Sequence, residues 1–91
     1  MERQSIRLSG IVQGVGCRAF VHGLASDLRL TGFVRNEDDG VLIEVEGPHD
    51  VLEQFGQRLV AERPRGARID NMESLTIAPK ASPRFEIQPS R

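Results

Sequence analysis

The sequence has one cysteine, one lysine, no tryptophan and no tyrosine. A lone Cys17 cannot form an internal disulfide, which fits a reducing cytoplasm, the expected location. The four aromatic residues are all Phe, too few for a platform on which nucleic-acid bases could stack. Uninterrupted apolar runs are two or three residues long, as at Ile11-Val12, against the roughly 20 needed to span a membrane. Met1-Glu2-Arg3-Gln4 lacks an apolar signal region, so secretion is not expected. His22 and His49 have no Cys or His partner at metal-ligand spacing. No zinc site, no other metal and no cofactor is expected.

What is present is ordinary globular composition, 91 residues with 38% hydrophobic and 27% charged. That length suits one domain over residues 1–91. Twelve Arg and Lys against thirteen Asp and Glu leave a net charge of −1, so no bulk field draws the chain to nucleic acid or anionic membrane. Eleven of the twelve cations are Arg, the side chain suited to bidentate contacts with phosphate or carboxylate.

Hydrophobic periodicity divides the chain into seven elements. Ser5 to Val12 alternates as a half-buried strand. From Arg18 to Leu30, Phe20, Val21, Leu24, Ala25 and Leu28 form one face of a helix. Thr31–Asn36 and Val41–Glu46 predict two strands joined by a hairpin through Asp39-Gly40. Gly47-Pro48 then opens a second helix, with Val51, Leu52, Phe55 and Leu59 as its buried stripe, and Pro64 forbids its continuation. Ala67 to Ile77 reads as a strand whose alternation slips once, as a bulge would cause. Phe85–Ile87 is a short final strand. The order β-α-β-β-α-β plus an extra strand predicts an α+β ferredoxin-like sandwich, an antiparallel sheet with two helices on one face.

The stretch Gly10-Ile11-Val12-Gln13-Gly14-Val15-Gly16-Cys17-Arg18 leaves a strand, passes two glycines and enters a helix. Successive N–H groups in such a loop, with the positive end of the helix dipole, can cradle an anion, and phosphate is the usual occupant. Arg18 adds a permanently charged fork. The plainer reading is a tight turn whose glycines supply positive φ. Gly14-x-Gly16-x-x-Ala19 also fits the dinucleotide fingerprint, with Glu37 near the ribose-binding position. The architecture excludes that reading, because the second strand returns as a hairpin rather than through a helix. A cysteine-phosphatase loop needs an Arg several residues beyond its Cys. Six residues past Cys17 stands Gly23, so Cys17 reads as a packing residue.

Gly10-x-Val12-Gln13-Gly14-Val15-Gly16-x-Arg18, Leu30-Thr31-Gly32-Phe33-Val34-Arg35-Asn36, Asp39-Gly40-x-x-x-Glu44-x-x-Gly47 and Pro64-x-Gly66-Ala67-Arg68-Ile69 together resemble the acylphosphatases over nearly the whole chain. The resemblance implies the same ferredoxin-like fold and metal-independent hydrolysis of the carboxyl–phosphate bond of small acyl phosphates, with inorganic phosphate as a product. It implies that Arg18 binds phosphate, that Gly14, Val15, Gly16, Cys17 and Arg18 form the backbone cradle, and that Asn36 positions the attacking water. Cys17 departs from the pattern, since most relatives carry an aromatic residue there. Arg18-x-Phe20-Val21 and Arg68-Ile69-Asp70 are more similar to the N-terminal domain of the hydrogenase maturation carbamoyltransferases, which handle carbamoyl phosphate.

An acyl phosphate is already activated, so a catalyst has mainly to position groups and neutralise charge. A guanidinium and an N–H cradle suit the equatorial oxygens, and an amide can orient water through its acceptor and donors. By composition alone Asn36 is a turn residue that bonds its own backbone. Arg35 is expected on the opposite, solvated face, and Glu37, Asp38 and Asp39 at a solvated hairpin tip. Neither histidine is assigned a role. Three functions are therefore expected in order: an acylphosphatase, acting as a monomer; a carbamoyl-phosphate domain of a larger maturation protein; and an anion-binding domain without turnover.

Overall fold

The structure, a computed structural model, describes residues 1–90. Alternating apolar residues build the first strand, β1 (Glu2–Ile11), whose Ile6 and Leu8 are buried. The helix α1 (Cys17–Asp27) buries Cys17, Val21, Leu24 and Ala25, with Phe20 and Leu28 packed at the margin of the core. It ends three residues before the predicted Leu30. Arg29 takes a left-handed φ of 58°, and the N–H groups of Arg29 and Leu30 turn back to the carbonyls of Ser26 and Ala25 at 3.1 and 2.8 Å. That is a Schellman closure with Arg where glycine is usual, so no glycine marked the stop.

The hairpin strands follow as β2 (Thr31–Glu37) and β3 (Gly40–Gly47), then α2 (His49–Ala61), β4 (Arg68–Ile77) and β5 (Phe85–Ile87). Leu52, Phe55 and Leu59 of α2 face the sheet as predicted, with Val51 beside them. The bulge in β4 falls at Asp70, where the register against β1 jumps from Ser9–Asn71 to Gly10–Ile69. Gly10 is required there: with φ at 124°, any Cβ would overlap the Arg68 carbonyl.

The sheet order is β4-β1-β3-β2-β5, with two helices packed on one face. Its four long strands are antiparallel to their neighbours, as expected of the ferredoxin-like sandwich. The short fifth strand makes the sheet mixed, because Phe85–Ile87 runs parallel to Gly32–Val34 along the outer edge. A strand following the long return from β4 need not reverse direction as a hairpin does. Both β1 and β2 are antiparallel to β3, which lies between them, so they are parallel to each other. Their carboxyl ends therefore share one end of the sheet, together with the start of α1.

The open face of the sheet carries charge. Arg3 is 1% exposed, and its guanidinium reaches Glu44 at 2.8 Å, Glu46 at 3.0 Å and Ser82 at 3.1 Å. Glu46 also accepts the backbone N–H groups of Lys80 and Ala81 at 2.8 and 3.1 Å, which straps the segment before β5 across this face. The Lys80 N–H, with Arg3 and Ala81, holds the Glu46 carboxyl below its usual range. For Glu44, burial opposes the shift, but Arg3 and Lys80 outweigh it and the net direction is also down. Arg35 is only partly solvated: it pairs with Glu37 at 3.0 Å, reaches Gln88 at 3.2 Å and lies over the Phe33 ring at 5.1 Å. His49 sits between Glu2 (3.0 Å) and Glu53 (2.8 Å), which raises its pKa and favours the cation despite the helix start.

Because the folded carboxyls of Glu44 and Glu46 titrate below their ordinary value of 4.5, their contribution is full above that pH and is lost as pH falls through the folded values. Urea unfolding of Glu46→Gln at pH 7 is expected to show a loss of about 1.5–3 kcal/mol. The variant's stability should also fall less steeply than wild type between about pH 5 and 3.

Candidate functional site

The chain leaves β1 at Ile11 and must turn into α1 within five residues. Gly14 and Gly16 make this possible with φ of 74° and 79°, values that cost other residues about 1–2 kcal/mol. Beyond the chain neighbours, no atom of the described residues lies within 4 Å of where a Cβ would stand on either glycine, so conformation rather than crowding requires them. Gly16 is the N-cap of α1, and no side chain caps the helix. The first turn of α1 holds no acidic residue. The first backbone bond of the helix runs from the Phe20 N–H to the Gly16 carbonyl at 3.1 Å. The N–H groups of Cys17, Arg18 and Ala19 therefore have no partner within the helix and carry its positive partial charge.

A cleft of about 320 Å³ opens at this helix start, lined by Val12, Gly14, Gly16, Cys17, Arg18, Ala19, Asn36 and Ile87. It brings together Gly14, Gly16, Cys17, Arg18 and Asn36 of the six sequence-predicted residues. Val15 turns its side chain away, toward Gly66 and the edge of the core. Asn36 reaches the cleft because β2 ends beside β1 and because strand alternation puts Asn36 on the helix side with Val34. Its Oδ1 is enclosed and has no hydrogen-bond partner among the described residues, so it does not bond its own backbone as a turn asparagine would.

Among the described residues that line the cleft, Arg18 is the one charged side chain. Arg3, Arg7, Arg35, Arg58, Arg68 and Arg84 are all paired with carboxylates, whereas Arg18 forms no such pair among the described residues. Glu37, next to Asn36, points to the opposite face. Arg7 at 2.6 Å, with Arg35, neutralises it there and lowers its pKa. Asp38 and Asp39 are exposed at the hairpin tip. A second hollow of about 350 Å³ on the open face gathers Glu37, Asp39 and Glu73 around Arg7, a charge balance that repels anions. Cys17 is 6% exposed within the core cluster, and burial pushes its thiol pKa up. A thiol held in that form is a poor nucleophile. Among the described residues no three His, Cys, Asp or Glu side chains are placed to hold a metal ion. No helix among the described residues is long and apolar enough to cross a membrane.

Gln13 had no role assigned from sequence, yet it ties the site together. Its Nε2 donates to the Gly40 carbonyl at 2.8 Å and to the Glu37 carbonyl. This one amide fastens the glycine loop to the hairpin that carries Asn36. Its position one residue before Gly14 was the available signal, but a partner 27 residues away is not legible in spacing.

The acylphosphatase family model matches residues 4–87. An acylphosphatase of Salinibacter ruber is 48% identical over 73 residues, which cover 79% of this chain and 76% of that protein. The carbamoyltransferase HypF of Rhizobium leguminosarum bv. viciae is 42% identical over 87 residues, covering 96% of this chain. This chain spans only 11% of that protein's length. The crystal structure of full-length HypF in a phosphate- and nucleotide-bound form superposes with a TM-score of 0.96 at 35% identity, over 98% of this chain and 12% of that one.

Replacing Gln13 by Ala strands two carbonyls and frees the loop. The variant is expected to lose about 1–2 kcal/mol in urea unfolding. Amide hydrogen exchange should speed up at Phe20, whose N–H holds the Gly16 carbonyl, while the α2 amides stay protected.

Proposed function

The chain belongs to the acylphosphatase family, and from that premise we propose that it hydrolyses small acyl phosphates to a carboxylate and inorganic phosphate, as one domain over residues 1–91 and without a metal ion. The observation that carries this reading is the pairing, in one cleft, of an uncommitted Arg18 beside an uncapped helix start with the orphaned acceptor of Asn36.

The phosphate of the substrate lies against the helix start, where N–H groups from Gly14 to Ala19 donate to its oxygens. The Arg18 guanidinium adds two parallel donors and a full positive charge. Water donates one O–H to Asn36 Oδ1, which turns an oxygen lone pair toward phosphorus. The phosphorus–oxygen bond to the acyl group breaks as the bond to water forms, and the acyl oxygen leaves as a carboxylate. That leaving group is a weak base and needs no proton. The water's proton passes to solvent. Charge gathering on the equatorial oxygens meets donors already in place, the largest single source of rate in such sites. Cys17 keeps its proton and supplies an apolar floor rather than a nucleophile.

A second reading draws on the similarity to HypF over 96% of this chain and on the phosphate- and nucleotide-bound crystal structure of that protein. In it the chain is the carbamoyl-phosphate domain of a larger carbamoyltransferase. The chemistry at phosphorus is the same and only the acyl group differs. The third possibility, an anion-binding domain, predicts phosphate binding without turnover.

Hydrolysis of benzoyl phosphate and carbamoyl phosphate, each with EDTA present, separates these readings. Wild type is expected to turn over benzoyl phosphate in EDTA. Arg18→Ala should lower kcat/KM by about 10²–10³-fold. Asn36→Ala should lower kcat with little change in KM, the mark of a group that acts on the transition state. Circular dichroism checks that both variants fold. Full turnover in either folded variant contradicts its assigned role. Turnover confined to carbamoyl phosphate favours the carbamoyltransferase reading.

A further inference from the structure

Once phosphate and water have been given their partners, three side chains remain on the cleft wall. Val12, Ala19 and Ile87 are all aliphatic. Val12 is 2% exposed and forms the base, so the surface left for the acyl group is Ala19 and Ile87. Ile87 is 47% exposed, one of the large apolar side chains the fold leaves in water. From β5 it pairs with Val34, whose side chain is fully buried on the helix side. Residues paired across a parallel ladder share a face, so Ile87 points to the same side as Val34 and Asn36.

Its position is fixed although it lies near the chain end. The Gln88 N–H donates to the Val34 carbonyl at 2.9 Å, and Arg35 Nη1 donates to Gln88 Oε1 at 3.2 Å. Two residues earlier, Phe85 is buried and lies edge-on to the His22 ring at 6.1 Å. The strand is thus anchored on both sides of Ile87, and a half-exposed isoleucine is held against the cleft. Among the described residues that line the cleft, the charged and amide side chains are Arg18 and Asn36, both already assigned.

We propose that Ile87 is the acyl-binding wall of this site, and that it selects uncharged apolar acyl groups. The proposal rests on the acyl-phosphate reading above and goes beyond it by naming the leaving group. An aromatic or aliphatic acyl group removes Ile87 surface from water as it binds, whereas an acyl group carrying its own charge loses hydration and gains no partner.

The test compares kcat/KM for benzoyl phosphate with that for acetyl phosphate in wild type, Ile87→Ala and Ile87→Gln. Loss of part of a hydrophobic contact is worth roughly five- to tenfold in such discrimination. Both variants are expected to lower the benzoyl-to-acetyl ratio by about that factor. Gln keeps the length of the side chain but not its apolarity. An unchanged ratio in both variants overturns the proposal. So does a fall in Ile87→Ala alone, because bulk rather than apolarity would then be acting. Failure of wild type to hydrolyse either substrate instead overturns the acyl-phosphate reading itself.

Discussion

Three backbone N–H groups at the start of α1 have no partner among the described residues, and the geometry around them follows from that. A helix start is ordinarily closed by a Ser, Thr, Asp or Asn side chain, worth about 1 kcal/mol. Here Gly16 occupies the N-cap in a left-handed conformation, and the first turn holds a cation, Arg18, where an anion would be favoured. Both choices are unfavourable for the isolated helix. They become favourable together once an anion sits in front of them, since the anion caps the helix and pairs with the guanidinium. Packing of Val21, Leu24 and Ala25 against the sheet holds the helix in place without the cap.

The fold supplies what the helix start needs from elsewhere. Because β1 and β2 are parallel with β3 between them, the end of β2 arrives beside the end of β1 rather than at the far side of the sheet. Asn36 is thereby presented to a loop more than 15 residues earlier in the chain, and Gln13 fastens the two. The carboxylates of Glu37, Glu44 and Glu46 are kept on the other face of the sheet, where Arg3, Arg7 and Arg35 compensate them. This division by face explains how a nearly neutral chain keeps an unpaired cation in its cleft. Strand alternation alone sorts Asn36 from Glu37 and Arg35.

Much of this was legible in the sequence. The period changes gave the element order, the slipped alternation gave a bulge in β4, and two glycines gave the tight turn from β1 into α1. Other features depend on partners far along the chain. Arg3 lies before the predicted strand and had no role assigned from sequence, yet Glu44, Glu46 and Ser82 bind its buried guanidinium. The early stop of α1 was hidden because Arg29 takes the left-handed position that glycine usually marks. The packing of the Val15 side chain near Gly66 at the edge of the core rests on a partner far along the chain and was not legible. The direction of β5, and with it the placement of Ile87, follows from edge pairing that local pattern does not encode.

The account depends on the helix start being an anion site, and amide chemical shifts report this directly. Titrating ¹⁵N-labelled protein with inorganic phosphate is predicted to shift the amides of residues 14–19 and the side-chain amide of Asn36 along one saturable curve. The amides of α2 and the open face should stay in place. Shifts spread over the arginines of the open face, or none at residues 14–19 at saturating phosphate, would contradict it.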